Sequence, residues 1–157
     1  GYTSPDHLAI RGGSNGGLLV GAVSNQRPDL FGAVVCTYPL LDMVRYHQFL
    51  VASFWVPEYG SSEDPEQFAY MLDYSPYHNV DQTARYPATL YITGDGDTRV
   101  APLHARKMAA LMQATHGDVT PILLRYHTAA GHSGGQPVSQ QIEEMVDTVS
   151  FLLWQVG

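Results

Sequence analysis

Apolar and polar positions alternate along this chain in blocks that predict strands and helices in turn. Leu8-Ala9-Ile10 is a short apolar run that leads into Arg11-Gly12-Gly13-Ser14-Asn15-Gly16-Gly17, and Leu18-Leu19-Val20-Gly21-Ala22-Val23 follows with helical character. The stretches 32–38 and 88–93 are short, β-branched and bounded by Gly or Pro, as buried parallel strands are. The expected order is strand (8–11), helix (16–25), strand (32–38), a variable middle, strand (88–93), helix (102–114), strand (121–127) and helix (138–155). Ile142, Met145, Val146, Val149, Leu152 and Leu153 give the last helix a one-face apolar spacing. Strand and helix in alternation predict an α/β fold with about four mostly parallel strands flanked by helices.

The middle, about 39–87, breaks this rhythm. It is rich in aromatics, Pro and polar turns, among them Phe49, Phe54, Trp55, Pro57, Tyr59, Phe68, Tyr70, Tyr74 and Tyr77. An insertion of this length between two strands carries function or a small helical cap, or packs on its own aromatics as a surface excursion.

Composition narrows the function classes. The 157 residues suit a single domain, with a formal net charge of −7 at pH 7. That charge argues against nucleic acid or an anionic membrane as partner. No apolar run reaches the ~18–20 residues of a membrane span. The lone Cys36 cannot form an intramolecular disulfide and reads as a buried strand residue, which suits a reducing, cytoplasmic compartment. The chain begins at Gly1, and its first strand is already the one that leads into the serine turn. It therefore reads as a fragment of a longer product.

Three loops carry chemistry. Strand, glycine turn, helix is the setting in which G-x-S-x-G forms a nucleophile elbow, and the same pattern alone is equally a plain glycine turn. The turn would lift the Ser14 hydroxyl from the sheet and set the Asn15 N–H at a helix start, where it can face an oxyanion. A serine needs a base, and the base needs an orienting carboxylate. Gly94-Asp95-Gly96-Asp97-Thr98-Arg99-Val100 follows the third strand, and Ala130-Gly131-His132-Ser133-Gly134-Gly135 follows the fourth. Serine, acid and histidine thus come in α/β-hydrolase order, at the strand ends where open α/β sheets place their sites. Residue chemistry alone leaves Asp95 and Asp97 both open as the acid. The other histidines, His7, His47, His78, His104, His116 and His127, lack this setting and are expected at the surface or in packing. No Lys follows the glycines, the dinucleotide spacing is absent, and no cluster has metal-ligand spacing, so neither cofactor nor metal is expected.

Five segments together resemble the catalytic domain of the prolyl oligopeptidase family: Gly12-Gly13-Ser14-Asn15-Gly16-Gly17-Leu18-Leu19, Gln26-Arg27-Pro28-Asp29-Leu30-Phe31-Gly32, Tyr74-Ser75-Pro76-Tyr77-His78-Asn79-Val80, Asp97-Thr98-Arg99-Val100 and Ala130-Gly131-His132. The resemblance runs over nearly the whole chain. It implies the C-terminal half of an α/β-hydrolase fold, without the β-propeller of the family. It assigns Ser14 as nucleophile, His132 as general base and acid, and Asp97, chosen by its spacing to Arg99, as the orienting carboxylate. It also implies that Trp55 stacks on a substrate proline ring, that Tyr59, Val100 and Leu40 line the slot, that Arg99 binds a substrate carbonyl, and that Asn15 supplies the backbone oxyanion donor. Gly96, Thr98 and Ser133 depart from the family pattern without removing a triad member. The family's second oxyanion donor, an upstream tyrosine, would precede Gly1.

The expected activity is that of a serine hydrolase acting through an acyl-enzyme on small esters or short proline-containing peptides. With one oxyanion donor fewer, esters are expected to be favoured over amides. The runner-up enzyme class is a general esterase or acyl-aminoacyl peptidase. The alternative to catalysis is an inert fragment or assembly module of a longer peptidase. The open edge of the first strand predicts a homo-oligomer or a complex with the missing N-terminal half.

Overall fold

A computed structural model describes residues 1–128, 131–132 and 136–157. Of the glycine-rich loop expected around His132, Gly131 and His132 are therefore described, whereas Ala130, Ser133, Gly134 and Gly135 lie outside the described residues. Four strands, β1 (Ala9–Gly13), β2 (Ala33–Thr37), β3 (Ala88–Gly94) and β4 (Ile122–His127), form one parallel sheet in the order β1-β2-β3-β4. Sequence order and spatial order coincide, as short crossovers on a parallel sheet allow. The helices are α1 (Asn15–Gln26), α2 (Val56–Tyr59), α3 (Pro65–Tyr74), α4 (Leu103–His116) and α5 (Val138–Val156). Every regular element expected outside the middle is present, with ends shifted by a few residues at most. β1 continues through Gly12 and Gly13 up to the serine, and α4 runs on to His116.

The period-2 geometry of β2 and β3 divides their side chains between two layers. Val34, Cys36 and Tyr91 pack with Val20 of α1 and with Ala105, Met108, Ala109 and Met112 of α4. Ala33, Val35, Ala88, Leu90 and Ile92 face the other way, onto Phe151, Leu152 and Val156 of α5. Both central strands are buried along their whole length, which explains their near-continuous apolar sequence. Cys36 is buried in β2 as expected, and burial pushes its thiol up to about 12.

The middle segment builds a third cluster at the C-terminal end of the sheet. Leu18, Leu40, Met43, Tyr46, Ala52, Met71 and Val100 form it, with Trp55, Val56, Tyr59 and Tyr74 packed against it. Helix α3 is started by Asp64, whose side chain accepts from the N–H groups of Glu66 and Gln67. Tyr46, Trp55, Tyr59 and Tyr74 of the insertion thus serve a small cap seated on the sheet, whereas Phe54, Phe68 and Tyr70 are exposed.

Helix α5 departs from simple amphipathic packing. Ile142, Met145, Val146, Val149 and Leu153 of its one-face stripe are exposed, whereas Thr148 and Phe151 are buried. The helix is apolar on two faces, and the sheet takes the one carrying Phe151. Among the described residues no helix is long and apolar enough to cross a membrane.

Candidate active site

Ser14 stands where β1 ends and α1 begins, with φ 57° and ψ −118°, a backbone conformation that costs a non-glycine residue ~1–3 kcal/mol. The surroundings impose it. The Ser14 N–H donates to the Thr37 carbonyl at 2.9 Å, and the Ser14 carbonyl accepts from Gly17 and Leu18 as helix α1 starts. A side chain at Gly12 would collide with the Gly16 carbonyl, so the turn can close only over glycine, whereas Gly16 faces open space. Strand, strained serine and helix are the nucleophile elbow geometry. The Asn15 N–H lies in the first turn of α1, where a helix has no internal acceptor for it.

The loop after β3 brings Asp97, not Asp95, to His132. His132 Nδ1 lies 2.7 Å from Asp97 Oδ2. An ionised carboxylate only accepts, so Nδ1 carries the proton and donates, which leaves Nε2 able to accept one. Asp97 Oδ1 accepts from the backbone N–H groups of Arg99 and Val100, each at 2.9 Å. One buried carboxylate therefore fixes the imidazole with one oxygen and the start of the next segment with the other. That double duty explains why the acid lies two residues before Arg99.

Ser14, Asn15, Leu40, Trp55, Glu58, Tyr59 and Arg99 surround a small cavity of about 90 Å³. Side chains from β1–α1, the β2 exit, the cap and the β3 loop thus converge beside the serine. The Arg99 guanidinium lies 5.8 Å from the centroid of the Trp55 ring, in cation–π range. The Asn15 side chain donates to Tyr59 Oη and to Glu58 Oε1 at 3.2 Å. Burial, reinforced by Glu58, pushes the Tyr59 phenol up to about 12, so it stays protonated at neutral pH. Val100, expected to line the slot, is not among the residues around this cavity but packs in the cluster against which Trp55 and Tyr59 lie. The Val100 N–H turns to Asp97 and its side chain is buried in the cluster beneath, beside Leu40.

Two features were not legible. Glu58 joins the cavity because the single turn of α2 sets it next to Tyr59, and a W-x-x-E-Y string by itself carries no such signal. Tyr38 packs its ring against His132, with centroids 5.6 Å apart at 64°. Among the described residues no group of His, Cys, Asp and Glu is arranged to hold a metal ion.

Comparison with known proteins places the chain in a family. The sequence profile described as the prolyl oligopeptidase family matches residues 1–157. A prolyl endopeptidase from Elizabethkingia miricola is 44% identical over 158 residues, covering 100% of this chain and 22% of that protein. One from Dictyostelium discoideum is 44% identical over 153 residues, covering 96% and 20%. A structure from a study of two prolyl endopeptidases and the role of inter-domain dynamics in their catalysis and specificity superposes with a TM-score of 0.95. It is 54% identical over 99% of this chain and 23% of its own. A post-proline cleaving enzyme from Rickettsia typhi gives a TM-score of 0.92 at 36% identity, covering 98% and 22%. The chain spans about a fifth of the length of these relatives and corresponds to part of their α/β-hydrolase catalytic domain. With the whole of its length matched, the chain belongs to the prolyl oligopeptidase family.

Proposed function

We propose that this chain carries the catalytic triad of a serine hydrolase that cleaves after proline, with Ser14 as nucleophile, His132 as general base and acid, and Asp97 as the orienting carboxylate. The carrying observation is the 2.7 Å contact of His132 Nδ1 with Asp97, on a loop that also walls the cavity beside the strained Ser14. The Ser14 oxygen attacks the acyl carbon of the substrate while His132 Nε2 takes its proton. Asp97 holds the imidazole in the tautomer this requires and stabilises the imidazolium. The oxyanion of the tetrahedral intermediate accepts from the Asn15 N–H, aided by the α1 dipole. His132 returns the proton to the leaving group, an acyl-Ser14 ester remains, and water activated by the same imidazole hydrolyses it.

The slot sets selectivity. Trp55 offers a flat indole to a compact apolar ring, Leu40 and Tyr59 close the sides, and the Arg99 guanidinium reaches a substrate carbonyl. The names of the relatives, prolyl endopeptidases at 44% identity, support a proline at this position. An activated ester has a better leaving group than an amide and needs less oxyanion stabilisation. With Asn15 N–H as the oxyanion donor assigned here, ester turnover is the first activity expected. The test compares wild type with Ser14→Ala on a short aryl ester and on a proline-linked amide. Wild type is expected to turn over both, the ester faster, and the variant neither. Equal ester rates for the two proteins would end the proposal.

A further inference from the structure

We propose that Tyr38 is a positioning residue for the imidazole of His132, its ring packed against that imidazole and its hydroxyl locked by Glu144 and Gln136. The inference rests on the reading of His132 as the general base. A single hydrogen bond at Nδ1 fixes one point of the imidazole and leaves the ring free to swing about it, because the terminal torsion of histidine is broad. Asp97 supplies that one point. The Tyr38 ring supplies a second, in an edge-type contact with centroids 5.6 Å apart at 64°.

Tyr38 is itself held on several sides. It is the residue that ends β2's run toward the site, and its φ of 47° is left-handed, uncommon for a bulky side chain. Its N–H donates to the Ile92 carbonyl at 2.7 Å, and the next residue, Pro39, lies so close to Gly17 of α1 that a side chain there would collide with it. The backbone of Tyr38 is therefore pinned between β3 and α1, next to the elbow. The residue is 2% exposed, so its hydroxyl must find partners in the interior. It donates to Glu144 Oε2 of α5 at 2.8 Å and accepts from Gln136 Nε2 at 2.5 Å. Glu144 Oε2 in turn lies 3.5 Å from His127 Nε2 at the end of β4. Gln136 sits four residues beyond His132, and its side chain meets the same hydroxyl. A tyrosine that merely filled the core would need neither the left-handed backbone nor this pairing of its hydroxyl with Gln136 and Glu144, both in the chain that follows the histidine.

The strain localises the consequence. Backbone held in a sparsely populated region at a site edge is a means of preorganisation, and a misplacement of about 1 Å can cost ~10²-fold in rate. The effect should therefore fall on turnover and leave substrate binding alone, since Tyr38 is absent from the cavity lining.

The experiment measures aryl ester kinetics and the low-field NMR signal of the His132 Nδ1 proton in wild type, Tyr38→Phe, Tyr38→Leu, Glu144→Gln, Glu144→Ala and His132→Ala. Tyr38→Phe keeps the ring and loses both hydrogen bonds of the hydroxyl, and kcat is expected to fall ~10-fold with KM unchanged. Tyr38→Leu removes the ring, and a ~10²-fold fall with a broadened or shifted proton signal is expected. Glu144→Gln retains an acceptor and should rescue to within about twofold of wild type, whereas Glu144→Ala should match Tyr38→Phe without adding to it in the double variant. Kinetics and a His132 signal within about twofold of wild type in folded Tyr38→Leu would overturn the inference while leaving the triad intact. Unchanged turnover in His132→Ala would overturn the triad itself, and the inference with it.

Discussion

His132 and His104 each lie near a buried aspartate, yet the two surroundings use the imidazole Nδ1 in opposite ways, as a donor in one and as an acceptor in the other. His132 donates from Nδ1 to Asp97, whose other oxygen is occupied by backbone N–H groups, so among the described residues the imidazole is the carboxylate's side-chain partner. His104 accepts at Nδ1 from the backbone N–H of Leu41 and of Asp42. Its nearby carboxylate, Asp42, is taken up by Lys107, by Arg45 at 2.8 Å and by His78 at 3.8 Å. Burial alone would raise the Asp42 carboxyl, but Lys107, Arg45 and His78 together outweigh it and hold it below the usual carboxylate range. Burial drives His104 down to about 4, against the pull of Asp42. The first ring carries its proton on Nδ1 and keeps the Nε2 lone pair; the second spends its Nδ1 lone pair on the backbone, and burial makes it hard to protonate. An Asp and a His brought together by the fold do not make a general base. What matters is whether the imidazole donates to the carboxylate or serves the backbone as an acceptor.

Substitution of the acids separates the two regions most sharply. Asp97→Asn would leave the geometry while favouring the wrong His132 tautomer, and kcat is expected to fall about 10⁴-fold with little change in thermal stability. Steady-state kinetics beside a melting curve checks both halves. Asp42→Asn should do the reverse. It leaves Lys107 and Arg45 without their shared anion, at an expected cost of ~3 kcal/mol in denaturant unfolding. Both cations retain some access to water, which keeps the loss at the lower end of the range for buried pairs. Turnover per folded molecule should stay within about threefold of wild type, so a loss as large as that of Asp97→Asn would erase the distinction.

A pH dependence of similar size follows from His104. The folded value of His104 lies below its ordinary 6.5, so as pH falls from 6.5 towards 4 the unfolded chain takes up a proton that the folded chain refuses. Stability is therefore complete above 6.5, declines across that window and levels off below it, by ~3 kcal/mol in all for a shift of this size. Asp42 adds a loss of the same sign further down, as pH falls through its lowered folded value. His104→Asn retains a side-chain acceptor and should flatten the upper part of the curve. An unchanged slope in that variant would mean that another group carries the dependence.

The elements were legible where local pattern and tertiary demand coincide. Val34, Val35 and Cys36 had to be a buried strand because no other element buries so short an apolar run, and Gly12 had to precede the serine because the turn admits no side chain there. Order and strand-end placement singled out Ser14, His132 and an acid on the loop after β3 as candidates, the resemblance chose Asp97 over Asp95 by its spacing to Arg99, and the structure sets Asp97 against His132. Tyr38, Glu144 and Asp42 were not legible. Their partners lie 106 residues away for Tyr38 and Glu144, and 65 for Lys107 and Asp42, and no spacing rule spans such distances. The stripe on α5 misled for a related reason. Periodicity reports that a helix has an apolar face, but which of two apolar faces meets the sheet is decided by Phe151, Leu152 and Val156 packing on β2 and β3.

The most direct test of the central claim is covalent labelling by a serine-reactive aryl phosphonate, located by peptide mapping, in wild type, His132→Ala and Asp97→Asn. A single adduct on Ser14 in wild type, nearly abolished in His132→Ala and strongly slowed in Asp97→Asn, is the predicted result. Labelling at another residue, or at Ser14 with the same rate in all three proteins, would contradict it.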